Sequence, residues 1–260
     1  MKGRHLTLLV TLFAFLALAP AAPRAVQDPP GTFSILGFDP ETGEIGAAVQ
    51  SRVFSVGNGV LWAEAGVGAV ATQAIVDVSY GPQGLALLRL GYPPATIIKA
   101  ILDADPDPGY RGGRWQKAGR QFAVMNAKGE FAAYTGPEAP SAAADKQGKY
   151  CTAQGNTLAG TDVVAKMVEG FETSEKDERG QRNHIAKRLV AALEAGQSVG
   201  GDKRGQQSAA LIVVKKDAGV WLHNDVVLRL QVDDSPQPIA ELRRLVEMSP
   251  PNRGRGRGGF

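Results

Sequence analysis

The 260-residue sequence contains a single cysteine and only three histidines. With no second cysteine, Cys151 cannot form an internal disulfide, and we expect its thiol to pack as a small buried hydrophobe. His5, His184 and His223 are too widely spaced to suggest a zinc site or a Ser-His-Asp triad. A glycine-rich phosphate-binding loop with its lysine is also missing. The sequence therefore predicts neither a metal nor a cofactor.

Residues 1–25 have the pattern of a secretory signal peptide. Lys2 and Arg4 precede an apolar run at residues 6–19, and small residues follow it. The run is shorter than the roughly 20 residues that a membrane span needs. We predict cleavage after Ala21 or Ala25, a secreted or periplasmic protein, and no stable membrane span after cleavage. An uncleaved membrane anchor is the alternative.

The mature chain is predicted to be electrically neutral. The leader carries three of the 29 basic residues and no acidic one, which leaves 26 basic residues against 26 acidic ones. The Gly- and Arg-rich tail, residues 249–260, cannot build a core and is predicted to be disordered. Because the domain is neutral and has no aromatic-basic stripe, no nucleic-acid partner is expected. One domain, residues 32–248, is of ordinary size for a single core.

Antiparallel hairpins alternate with pairs of helices along this domain. Residues 32–49 hold two apolar runs around an Asp-Pro-Glu-Thr-Gly turn, which predicts a strand, a tight turn and a strand. Paired helices do not fit a doubly wound parallel sheet and favour an α+β fold of two packed sheets with helices outside. Further strands are predicted at 60–64, 66–74, 121–125, 130–135, 150–153, 208–214, 220–223 and 226–232, helices near 85–91, 97–102, 161–171, 185–196 and from 238, and loops at 103–119 and 136–148.

Six ordered segments between residues 32 and 245 carry a resemblance to a known family. They are GTFSILGFDPETGEIGAAVQSR, WAEAGVGAVATQA, YGPQGLALL, AQGNTLAG, AALEAGQSVGGDKRGQQSAALIVV and LRLQVDDSPQPIAELRRL. They resemble the bacterial family known as domain of unknown function 1028. The resemblance implies an N-terminal nucleophile (Ntn) hydrolase-like fold, a four-layer αββα sandwich of two antiparallel sheets. It implies no settled reaction or substrate.

The Ntn resemblance points to Thr32 as a catalytic nucleophile. In Ntn hydrolases the nucleophile is the first residue after processing, and its own α-amine, with a pKa of about 8, accepts the hydroxyl proton. Thr32 follows Gly31, as in proteasome subunits, so residues 26–31 would be a pro-segment removed by a second, autocatalytic cut. Alternatively, Thr32 is a β-branched residue that opens a strand for packing alone. Ser34, on the same face, is a fallback nucleophile.

Three further residues are candidates for the catalytic group. Asn156 can donate an amide hydrogen to a developing oxyanion, or it can satisfy local backbone. Gln73, a polar residue in an apolar strand, needs a partner, either at the site or in a buried structural hydrogen bond. Arg52 can orient Thr32 or simply pair with Glu64.

Four residues are candidates for substrate binding, although the proteasome relay does not transfer to this chain. Gln50 stands where proteasome subunits carry an acidic residue before Ser-Arg, and no lysine lies between Lys2 and Lys99. Glu64 lies in apolar surroundings and so requires a partner. For the residues that precede the strand at 208–214, an exposed charged loop is the alternative. The substrate-binding candidates are Ser51, Glu64, Asp202 and Ser208.

The leading hypothesis is an exported hydrolase that cuts a linear amide bond through an N-terminal Thr32. Its substrate would be a small-molecule or peptide-like amide, and peptidoglycan-derived amides are within reach outside the cytoplasm. The alternative is a non-catalytic cell-envelope binding protein on the same fold. A structural component that forms a homo-oligomer is a third reading.

Overall fold

The structure, a computed structural model, describes residues 31–107, 116–219 and 224–249. The predicted signal peptide, the strand predicted at 220–223 and the tail beyond Ser249 lie outside these residues, as does the pro-segment except for Gly31. None of the described helices is long and apolar enough to cross a membrane.

Two antiparallel sheets dominate the described residues. The first has six strands in the order β10-β9-β2-β1-β8-β7, and the second has four in the order β3-β4-β5-β6. The bounds are β1 Thr32–Phe38, β2 Ile45–Ser51, β3 Leu61–Glu64, β4 Gly68–Ala74, β5 Arg120–Asn126, β6 Phe131–Thr135, β7 Ala144–Gly148, β8 Cys151–Asn156, β9 Ser208–Val214 and β10 Val226–Val232.

Helices cover the outer faces of both sheets. They are α2 Tyr80–Arg89, α3 Pro94–Ala104, α4 Asp162–Thr173, α5 Ile185–Ser198 and α6 Pro238–Met248. The single turn α1 Gly57–Val60 instead packs its Val60 between the sheets, and a 3-10 turn lies at Lys117–Gly119. Helices α4, α5 and α6 pack on the six-stranded sheet, and α2 and α3 pack on the four-stranded one. A third apolar cluster fills the space between the sheets. The layers therefore run helix, sheet, sheet, helix, and the predicted α+β sandwich of two antiparallel sheets is confirmed.

The side-chain alternation of β1 explains the two cores on either side of its sheet. Phe33 and Ile35 point to the helices, whereas Leu36 and Phe38 point to the second sheet. All four are buried, and burying one such side chain contributes about 1.5–3 kcal/mol. At the N-terminal end of β1 the inward positions change to the polar Thr32 and Ser34. One end of the sandwich interior is therefore polar.

Two predicted boundaries near this polar end are wrong. The loop predicted at 136–148 contains β7, an edge strand whose partly exposed sequence ADKQG has no apolar alternation to identify it. Strand β8 continues beyond residue 153 to Asn156, because its polar residues face a buried hydrogen-bond network instead of a loop. Helix α1 was also not predicted, since a single turn is too short for apolar periodicity.

Candidate active site at Gly31 and Thr32

Thr32 opens β1, a central strand of the six-stranded sheet. It lies opposite Ser51 of β2 on one side and opposite Asn156 of β8 on the other. All three are buried, and they face the four-stranded sheet, where Gln73 of β4 and Gln121 of β5 lie opposite each other. The fold thus gathers side chains from five strands around the start of β1.

A chain of hydroxyl groups joins Thr32 to the carbonyl that precedes it. Ser51 Oγ donates to the Gly31 carbonyl oxygen at 2.5 Å and lies 3.0 Å from Thr32 Oγ1. Because a hydroxyl has a single hydrogen, Thr32 is the donor in the second bond. Arg204 Nη2 also donates to the Gly31 oxygen, at 2.9 Å. Two donors, one of them charged, therefore hold the carbonyl of the Gly31–Thr32 peptide bond beside the Thr32 hydroxyl.

Asp202 explains why the residue before Thr32 is a glycine. A Cβ added to Gly31 would lie 2.8 Å from the carboxyl carbon and from both carboxylate oxygens of Asp202. The Asp202 side chain is fully buried and pairs with the Arg204 guanidinium through bonds of 2.6 and 3.0 Å. Backbone N–H groups of Arg52 and Arg204 also donate to it. These contacts fix the guanidinium while it points at the Gly31 carbonyl.

A network of amide side chains anchors the backbone of Thr32. Gln73 Nε2 donates to the Thr32 carbonyl oxygen at 3.3 Å and to Gln121 Oε1 at 2.9 Å. Asn156 Nδ2 donates to the same two oxygens at 3.4 and 3.1 Å. Ser34 Oγ donates to Gln73 Oε1 at 2.6 Å, so its hydroxyl is already engaged. Because these bonds act downstream of the Gly31–Thr32 peptide, they do not depend on the chain before Thr32.

Gln73 and Asn156 are thus adjacent to Thr32, but through its carbonyl and not through its hydroxyl. Both amide side chains are buried in the interior between the sheets. Their catalytic roles stay predictions, and the geometry gives them a positioning function.

Among the remaining candidates, Ser208 fixes backbone next to Thr32, whereas the side chains of Arg52 and Glu64 bind elsewhere. Ser208 lies opposite Ser51, donates to the Val53 carbonyl at 2.5 Å and accepts the Val56 N–H at 3.0 Å. It therefore fixes the segment that follows β2, next to Thr32.

Arg52 and Glu64 do not contact each other through side-chain hydrogen bonds. The Arg52 guanidinium donates to the Arg204 carbonyl, whereas Glu64 pairs with Arg89 of α2. Glu64 has the partner that its surroundings require, but none of its hydrogen bonds within the described residues reaches the Thr32 group.

Gln121 is not among the sequence candidates, and Arg204 is singled out from the sequence only with Asp202 and Ser208 at the entry to the strand at 208–214, with an exposed charged loop as the alternative and no role of its own. Gln121, like Gln73, is a polar residue in an apolar strand, which is the signal that identified Gln73. Because Gln121 lies near the start of its strand, next to turn residues, this signal did not distinguish it from the turn. Arg204 lies in the Gly-rich, charged loop at 200–205, a composition typical of a solvated surface. Only its pairing with a fully buried Asp202 distinguishes it from an ordinary loop arginine.

Three non-glycine residues with left-handed backbone surround the site. The φ values are 56° at Ser55, 66° at Ala74, which follows Gln73, and 55° at Thr157, which follows Asn156. This conformation is especially unfavourable for a β-branched residue, and such positions cost about 1–3 kcal/mol each. Strain of this kind persists where the surroundings hold it, and it concentrates at functional sites.

The charges and donors of the group suit acyl chemistry. The described residues contain no cluster of three or more His, Cys, Asp or Glu side chains arranged to hold a metal ion. They do place a hydroxyl next to a carbonyl whose oxygen accepts two strong hydrogen bonds. Attack on that carbonyl, or on a substrate carbonyl in its place, is the reaction for which this arrangement is suited.

Comparisons with other proteins agree on the family of the chain. The model of a family of unknown function, DUF1028, matches residues 32–242, so the match begins at Thr32. The crystal structure of protein SPO2555 from Silicibacter pomeroyi, described with the same family, is similar with a TM-score of 0.71 and 31% identity. The similarity covers 84% of this chain and 85% of that chain. No curated protein matches this sequence.

Proposed function

Since this chain belongs to the DUF1028 family, whose description names no reaction, we propose from the site itself that it is an N-terminal threonine hydrolase of linear amide bonds. In this proposal the sandwich is an Ntn-hydrolase-like αββα fold and Thr32 is the nucleophile. One observation carries the proposal. The Gly31 carbonyl is held by Ser51 and Arg204 while the Thr32 hydroxyl donates to the same Ser51 oxygen.

The first step is self-cleavage at Gly31–Thr32. Thr32 Oγ1 attacks the Gly31 carbonyl carbon, and its proton passes to Ser51 as Ser51 gives its own proton to the carbonyl oxygen. Arg204 stabilises the negative charge that develops on that oxygen before the proton reaches it. The carbon–nitrogen bond then breaks as the hydroxyl of the tetrahedral intermediate passes its proton through Ser51 to the Thr32 nitrogen, which becomes an α-amine, and an ester joins Gly31 to Thr32 Oγ1. Water hydrolyses this ester, releasing the segment that ends at Gly31.

The mature site then has a nucleophile and a base on one residue. The α-amine of Thr32 accepts the hydroxyl proton, because a free α-amino group, whose ordinary pKa is about 8, is a competent base at neutral pH. Once the Gly31 carbonyl has left, Ser51 and Arg204 are free to hold the carbonyl oxygen of an incoming amide. Thr32 attacks that carbonyl, the amine product leaves with a proton, and water hydrolyses the acyl-enzyme.

The amide network supports this chemistry by fixing Thr32 after the cut. Gln73 and Asn156 hold the Thr32 carbonyl, and Gln121 accepts a hydrogen bond from each of them, through bonds that the cut leaves in place. A new N terminus would otherwise fray, as chain ends do. We also propose that the protein works outside the cytoplasm, because its leader has the pattern of a signal peptide.

The proposal is tested by comparing the full-length parent with Thr32→Ala and Thr32→Ser. The parent and Thr32→Ser are expected to yield chains that begin at residue 32, and Thr32→Ala to remain uncut while keeping its folded circular dichroism spectrum. Only the cut chains should be labelled at residue 32 by hydroxyl-reactive acyl probes. Equal labelling of Thr32→Ala, or a folded parent that keeps the residues before Thr32, would refute the nucleophile and favour the non-catalytic binding protein.

A further inference from the structure

An apolar cleft of about 160 Å³ opens beside Thr32. The segment that follows β2 provides one wall with Val53 and Val56, and the segment at the end of β4 provides the other with Ala74 and Val78. Among the described residues, no charged side chain lines this cleft. A group bound there would lose its hydration without meeting a charge, so the cleft rejects carboxylates and ammonium groups.

The size of the cleft sets the size of its ligand. A dry apolar cavity of about 150 Å³ holds a benzene molecule. The cleft beside Thr32 has nearly that volume, so it accommodates a phenyl ring or a branched aliphatic group. One methylene in an apolar pocket changes specificity by roughly 10- to 200-fold, so a group of this size would be strongly preferred over a methyl.

The walls of the cleft are held in place but remain uncovered. Ser208 fixes the Val53–Val56 segment through two hydrogen bonds, and Ala74 turns the chain with its left-handed backbone. At the cleft, Phe54 is 64% exposed and Val78 is 50% exposed. Large apolar side chains gathered around a concave site are typical of a ligand-binding surface.

The Asp202 side of Gly31 leaves no room for a substituent. Asp202 packs so closely against Gly31 that even a methyl group would meet its carboxylate at 2.8 Å. A substituent on the acyl half of a substrate is therefore directed away from Asp202. The apolar cleft is open space that adjoins Thr32.

We propose that the substrate carries an uncharged apolar group, up to the size of a benzene ring, on the acyl side of the amide, and that this group enters the cleft. The inference rests on the proposed function, because it uses Thr32 as the nucleophile.

Three β-lactones test it, with a benzyl, a methyl or a carboxymethyl group next to the carbonyl. Thr32 Oγ1 attacks the lactone carbonyl, the ring carbon–oxygen bond breaks, and the released alkoxide takes the hydroxyl proton. Each labelled chain gains the whole mass of the lactone, and intact-mass spectrometry gives the rate. We expect the benzyl lactone to react at least about tenfold faster than the methyl one, and the carboxymethyl lactone to be slowest.

Two variants check that the cleft causes this order. A Cβ at Gly59 would contact only Val78 Cγ1 within 4 Å, at 3.3 Å, so Gly59→Phe fills the cleft and should bring the benzyl-to-methyl rate ratio towards one. Val78→Lys should speed the carboxymethyl lactone, whereas Leu90→Lys, at an exposed position outside the cleft lining, should not.

The outcomes separate the two proposals. Equal rates for the three lactones, or a benzyl preference that survives Gly59→Phe, would overturn the cleft proposal while Thr32 remained the nucleophile. If no lactone acylates residue 32 in folded protein, the proposed function itself fails.

Discussion

Replacing Ser51 with alanine should strongly slow the cut at Gly31–Thr32 while the protein still folds with a smaller loss in its free energy of unfolding. The Ser51 hydroxyl is one of two donors to the Gly31 carbonyl and is the acceptor for the Thr32 proton. Loss of one oxyanion donor costs about 100- to 1,000-fold in rate, or roughly 3–4 kcal/mol. In folded Ser51→Ala the Thr32 hydroxyl has lost its hydrogen-bond acceptor, which costs about 1–3 kcal/mol in the free energy of unfolding.

The neighbouring serine provides a matched control. Ser208 lies opposite Ser51, is equally buried and also makes two hydrogen bonds, but it contacts the segment after β2 and not Gly31. Ser208→Ala should lose similar stability and still cut at nearly the parent rate. Ser208 fixes a wall of the cleft, and self-cleavage does not use the cleft because it needs no outside substrate.

The assay follows the uncut mass with time after refolding, and urea unfolding measures the stability of each variant. A Ser51→Ala chain that cuts at the parent rate would refute the role of its hydroxyl. Equal slowing in Ser208→Ala would show that stability, and not donor geometry, controls the cut.

Three other predictions follow from individual contacts. Gly31→Ala should block the cut, read from intact mass, because its Cβ meets the Asp202 carboxylate; efficient cutting would contradict the close packing. Thr152 Oγ1 is buried and has no hydrogen-bond partner among the residues that the structure describes. Thr152→Val should therefore raise the free energy of unfolding by about 1 kcal/mol, and a loss in urea titration would count against this. Burial alone raises the pKa of Asp39, but hydrogen bonds and charge from Arg182 outweigh it and hold that pKa below its usual 3.8. This pair therefore stabilises the fold above about pH 4 and loses that effect as the pH falls further. Asp39→Asn should flatten the acid side of the plot of unfolding free energy against pH. An unchanged plot would exclude the pair as the cause of the acid-side loss.

The hairpins and helices were predictable because their signals are local. The Asp39 to Gly43 turn between two apolar runs, and the apolar spacing of the helices, depend on residues a few positions apart. The edge strand β7 was not predictable, since its polar sequence follows no alternation and its assignment depends on pairing with β8.

The site was predictable only in part, because most of it depends on contacts between distant residues. Thr32 was predicted from the resemblance and Asn156 from its amide group at a strand end, and strand register brings the two opposite each other. The hydrogen bond from Arg204 to Gly31 joins residues 173 positions apart, and no local sequence pattern predicts it. The pairing of Glu64 with Arg89 likewise depends on how α2 packs against β3.

The N-terminal residue of the folded, exported protein tests the central claim most directly. Intact mass combined with N-terminal sequencing gives it in one preparation, without knowledge of any substrate. We predict a chain that begins at Thr32. A homogeneous, fully folded chain that begins at Ala22 or Val26 would contradict the account.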